Sequence, residues 1–96
     1  MALQTLTVPK RQATEAVTSV DSTDGLDITL PVGVAVVLLR ATQACLWRWS
    51  SSDDLFPLAA DTTLSLPGSA AAGLTASQSL HVRAVSSSAT VYVAVS

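Results

Sequence analysis

Short apolar segments of period two, separated by turn-forming residues, restrict this chain to β-structure. Leu26-Asp27-Ile28-Thr29-Leu30 alternates strictly, so an extended strand puts Leu26, Ile28 and Leu30 on one face and Asp27 and Thr29 on the other. The preceding Asp24-Gly25 is a favoured turn dipeptide, because glycine adopts positive φ without steric cost. Pro31-Val32-Gly33 breaks the chain before Val34-Ala35-Val36-Val37-Leu38-Leu39, a run apolar on both faces that reads as a central strand. Ala44 to Trp49 is the next strand, closed by the polar Ser50-Ser51-Ser52-Asp53-Asp54. Pro57 argues against a central strand over Leu55 to Ala60. Thr62 to Leu66 reads as a strand ended by a type II turn at Pro67-Gly68. Ser69-Ala70-Ala71-Ala72-Gly73 is too short for a stable helix and reads as loop.

Near the C-terminus, Ser79 to Val85 and Ala89 to Val95 flank Ser86-Ser87-Ser88 and suggest a hairpin. If Val85 pairs with Thr90 across a four-residue loop, Leu80, Val82 and Ala84 meet Val95, Val93 and Val91 on one face, and Arg83 lies across Tyr92 on the other. Ala13 to Val20 is a weaker strand candidate. Residues 1–12 differ from the rest: Leu3, Leu6 and Val8 lie among Thr and Gln, and Pro9-Lys10-Arg11-Gln12 follows. Extended, such an arm reaches roughly 40 Å, enough to cross onto a neighbouring subunit. The expected organisation is an extended N-terminal arm over 1–12 and one domain over 13–96. That domain is all-β, an antiparallel β-sandwich or small jelly roll of six to seven strands. Its expected core draws on Ile28, Leu30, Val36, Leu38, Leu46, Leu64, Leu66, Leu80, Val82, Val91 and Val93.

The exterior of such a domain cannot be covered by charge. Only 12% of the 96 residues are Asp, Glu, Lys or Arg, about half the usual share. In their place stand 11 Thr, 13 Ser and 15 Ala. The net charge of −2 and the single adjacent basic pair, Lys10-Arg11, argue against a nucleic-acid partner, which calls for a basic stripe. No apolar run approaches the ~20 residues of a membrane span, so no membrane partner is expected. Cys45 is the sole cysteine, which precludes an intrachain disulfide and points to synthesis in a reducing cytoplasm. The first residues lack the charged start and apolar core of a signal peptide.

Little in the sequence suggests catalysis. His81 has no second histidine with which to share a metal, and Cys45 alone cannot complete a zinc site. His81 reads as a polar or interface position and Cys45 as a small buried hydrophobe. Neither a Gly-x-Ser-x-Gly elbow nor a glycine-rich phosphate loop is present. Asp21, Asp24 and Asp27 recur around Gly25, but not at EF-hand spacing, and read as turn-forming and solubilising residues. The expectation is therefore a non-enzymatic protein without cofactor or metal. Trp47 and Trp49, two apart in one strand, project to the same face as Cys45. They either complete the core or form an exposed platform for a partner or a sugar.

Together the Thr-rich apolar arm, the short Val/Ala/Thr strands, the Thr63-Leu64-Ser65-Leu66-Pro67-Gly68 edge and the closing Leu80-His81-Val82-Arg83-Ala84 … Ala89-Thr90-Val91-Tyr92-Val93-Ala94-Val95 resemble small structural proteins of tailed-bacteriophage virions. The resemblance is to the capsid decoration or cement type. It implies a protein that binds the assembled capsid surface, often as a trimer, and stabilises it by bridging capsomers. Its partners would be the major capsid protein or other virion proteins. On this reading Leu3, Leu6, Val8, Lys10 and Arg11 of the arm, with Trp47 and Trp49, are the partner-binding residues. An ion-poor surface agrees with it, since Ser, Thr and Ala cost less to desolvate than Lys and Glu. The alternatives are a spike, fibre-base or neck component of the virion, and a carbohydrate-binding module built on the two tryptophans.

Overall fold

The computed structural model describes residues 3–8, 14–49, 54–86 and 88–96. Among these residues the chain forms nine strands and one helical turn: β1 (Gln4–Thr7), β2 (Thr14–Asp21), β3 (Leu26–Leu30), β4 (Val36–Ala41), β5 (Cys45–Arg48), β6 (Phe56–Leu58), β7 (Leu64–Pro67), α1 (Ser69–Ala72), β8 (Gln78–Ala84) and β9 (Ser88–Val95). They build a five-stranded sheet of order β1-β3-β8-β5-β6 and a four-stranded sheet of order β2-β9-β4-β7. An all-β sandwich forms, as period two leads one to expect, but with nine strands in place of six to seven and with β1 and β3 parallel rather than antiparallel. Strand β3 spans the residues its alternation predicts, with Leu26, Ile28 and Leu30 fully buried.

Along the chain the strands change sheet at almost every step; β5 and β6 alone are consecutive strands of one sheet. This overturns the expected C-terminal hairpin. β8 pairs with β3 and β5, whereas β9 pairs with β2 and β4. Leu80, Val82 and Ala84 do belong with Val91, Val93 and Val95, all buried, but the two sets line opposite sheets of one core. Arg83 consequently does not lie across Tyr92. The same alternation explains the one parallel pair among the described residues. β1 and β3 are separated by a single strand in the other sheet, so two reversals bring the chain back beside β1 in its original direction.

Residues 4–8 are not a projecting arm. Leu6 stands beside Ile28 in the β1–β3 register, the Val8 N–H donates to the Thr29 carbonyl at 2.9 Å, and the Val8 side chain is 1% exposed. Val8 therefore closes the core and is not available to a partner. Leu6 packs partly buried against the same core, while Leu3 is exposed.

Three expected core residues, in two strands, change face. In β4, Val37, Leu39 and Ala41 are buried while Leu38 is exposed and Val36 half-buried. The cause is Arg40, which shares parity with Val36 and Leu38 and must face water. In β5, Leu46 shares parity with Arg48 and is half-buried, leaving Cys45 to enter the core. Leu64 is also only partly buried. Pro57 sits in β6 at the sheet edge, where its missing N–H breaks no ladder.

The expected turn and loop after β7 are replaced by a short cap. Gly68 has φ of −82°, not the positive φ of a type II turn, and its N–H donates to the Ala35 carbonyl at 2.9 Å. Glycine is required there because a Cβ would collide with the Val34 carbonyl. Ser69–Ala72 then forms one helical turn, ended by Gly73 in the left-handed region with its φ of 74°. The buried Ser69 Oγ accepts the Gly33 N–H at 2.9 Å and so pins the 31–35 loop.

Candidate functional site

The polar parity of three neighbouring strands in the five-stranded sheet converges on His81. Strand register places Asp27 of β3 on one side of His81 of β8 and Arg48 of β5 on the other. His81 Nδ1 lies 2.6 Å from Asp27 Oδ1, and Arg83 Nε donates to His81 Nε2 at 3.2 Å. Since Nε of arginine is always a donor, Nε2 of the ring is the acceptor and Nδ1 carries the proton donated to Asp27. His81 is thus held at both nitrogens, and its side chain is only 11% exposed although it lies on the outer face.

These residues line a concavity of about 520 Å³ that also includes Leu3, Asp24 and Trp49. Arg48 Nε is buried without a hydrogen-bond partner among the described residues. Gly25 shapes the rim with φ of +74°. A Cβ there would stand 2.5 Å from the Val82 carbonyl and 2.8 Å from Arg83 Cβ, so only glycine lets the β2–β3 turn approach β8.

The three aspartates do not act as a cation cluster. Asp21 Oδ1 accepts the N–H groups of Thr23, Asp24 and Gly25 at 3.2, 2.8 and 2.8 Å. The Gly25 and Asp24 bonds hold its carboxyl below the ordinary value of 3.8. Asp21 therefore builds the turn, as its sequence position suggests, whereas Asp27 belongs to the histidine. Among the described residues no group of three or more His, Cys, Asp or Glu could hold a metal ion. Burial raises the Cys45 thiol above its usual range, which disfavours the nucleophilic thiolate.

Trp47 and Trp49 pack partly buried against the core. Their ring centroids are 6.2 Å apart at an interplanar angle of 89°, so the two indoles cannot act as one flat platform. Trp47 packs further on Phe56 at 5.4 Å, while Trp49 lines the concavity beside His81. Leu3 reaches the same concavity, away from Leu6 and Val8, and Lys10 and Arg11 lie outside the described residues. The Asp27–His81–Arg83 chain is not evident in sequence order, because Asp27 and His81 are 54 residues apart. Its one sequence signal is that all three occupy the polar parity of alternating strands.

The outer face of the four-stranded sheet differs in character. Leu38 and Tyr92, each 40% exposed, stand on it with Val36 and Ala94. A shallow depression of about 170 Å³ lies among Leu38, Arg40, Thr63 and Tyr92. Arg40, the charged residue of this lining, is paired with Asp61 at 3.4 Å. No protein-family model, curated protein or solved structure matches the chain.

Proposed function

We propose that this chain is a non-enzymatic structural protein of a tailed-bacteriophage virion that binds the assembled capsid and stabilises it by bridging capsomers. The supporting observation is the outer face of the four-stranded sheet, where exposed Leu38 and Tyr92 flank a depression whose adjacent cation is already paired. Desolvating such a surface strands no unpaired ion, and the apolar area it hides favours association. Repetition over a lattice adds avidity, so a modest contact per copy suffices. The resemblance of the whole chain to decoration proteins supplies the partner, the major capsid protein, and a trimeric state. Docking through this sheet replaces the arm as the attachment device, because residues 4–8 are built into the opposite sheet. Held at both ring nitrogens, His81 is not set up as a free base, which agrees with a non-enzymatic role.

Sedimentation with capsids that lack the protein tests the proposal. The wild type should co-sediment, and the Leu38→Asp, Tyr92→Asp double variant should remain in the supernatant with an unchanged melting curve. A wild type that never associates, or a double variant bound as fully as the wild type, would overturn it. Copy number per particle then distinguishes a decoration protein from a spike, fibre-base or neck component.

A further inference from the structure

We propose that the concavity on the outer face of the five-stranded sheet binds an acidic sugar, a pyranose carrying a carboxylate, with Arg48 meeting the carboxylate and Trp49 packing against the ring. The site lies on the sheet opposite the capsid-docking face and does not rest on that reading. Its volume of about 520 Å³ suits one or two sugar rings.

Arg48 is the first reason for the anionic group. It lines the concavity with Arg83 and Trp49, and its guanidinium is a permanent cation. A planar carboxylate is the acceptor that fits a guanidinium edge. Arg83 adds a second cation, and its orientation is fixed: Nε is committed to His81, which is itself held by Asp27. The remaining Arg83 donors are therefore presented from a braced side chain on a strand, not from a mobile loop.

The rest of the lining favours a sugar over a simple anion. Asp24 and Asp27 line the same space, where they can accept hydrogen bonds from sugar hydroxyl groups, which a fully ionised phosphate cannot donate. Trp49 contributes an aromatic surface, amphipathic and rigid, against which the C–H face of a pyranose packs. With His81 Nε2 already engaged, the cavity is equipped to hold a glycan and not to cleave one.

The intact protein is titrated with methyl β-D-glucuronide, methyl α-D-galacturonide, methyl β-D-glucoside and inorganic phosphate, followed by tryptophan fluorescence and amide chemical shifts. At least one uronide should bind saturably, shifting Arg48, Trp49 and His81, with the glucoside and phosphate weaker by about tenfold or more. Arg48→Gln should weaken uronide binding by a similar factor. Leu3→Asp places a like charge at the rim on a residue 45% exposed, so it should weaken uronide binding while leaving the melting curve unchanged even if Arg48→Gln fails to fold. Absence of saturable uronide binding, equal binding of glucoside or phosphate, or undiminished uronide binding by Leu3→Asp would each overturn the site.

Discussion

Asp21 shows how much one exposed carboxylate can organise. Its Oδ1 gathers three successive N–H groups of the β2–β3 turn, which brings Gly25 against β8 and forms one wall of the concavity. Because those bonds favour the ionised form, the folded value lies below the ordinary 3.8. Stability from this source is complete above the unfolded value and is lost as pH falls through the lower folded one. Thermal melts of wild type and Asp21→Ala, taken from neutral pH downward, should therefore show a gap that is constant near neutrality and closes in the acid range below about 3.8. At His81, the donor at Arg83 Nε requires a bare Nε2. Ring ¹⁵N shifts should report the Nδ1–H tautomer, and an Nε2–H signal would contradict this network.

In the strands, alternation was legible and the choice of face was not always so. β3 could be read directly, because its two faces differ in polarity at every position. β4 could not, since Val36 to Leu39 is apolar on both sides and only Arg40, one step beyond, breaks the tie. β5 presents the same problem, with Arg48 setting the side on which Leu46 must stand. Paired alanine substitutions in β4 test the assignment through equilibrium unfolding. Leu39→Ala removes a fully buried side chain and should cost about 2 to 5 kcal/mol, whereas Leu38→Ala on the outer face should stay within about 1 kcal/mol. Equal costs would mean that the strand presents no preferred face.

Across the whole molecule, the sandwich is threaded from one sheet to the other rather than folded from hairpins. Turn residues mark where the chain reverses but say nothing about whether the return strand lies beside its predecessor or across the core from it. The apparent hairpin after β8 failed for this reason, and so did its Arg83–Tyr92 contact. The N-terminal segment follows the same logic. Leu6 and Val8 carry the inward parity of an edge strand, and pairing of β1 with β3 adds them to the core beside Ile28 and Thr29. Deleting residues 2–8 should thus lower the melting temperature and cost at least the roughly 1.5 to 3 kcal/mol of one buried aliphatic side chain. A truncated chain that melts with the wild type would show that β1 adds nothing to the body.

Period-two patterning and the rarity of ions, both local properties of the sequence, were enough to determine an all-β sandwich, the extent of β3 and the turn at Gly25. Strand partners, the parallel β1–β3 pair and the meeting of Asp27, His81, Arg83 and Arg48 were decided only in three dimensions. The physical reason is that side-chain parity is fixed within a strand by its own backbone. Which strands become neighbours depends instead on how distant segments share one core, and no local residue pattern carries that information.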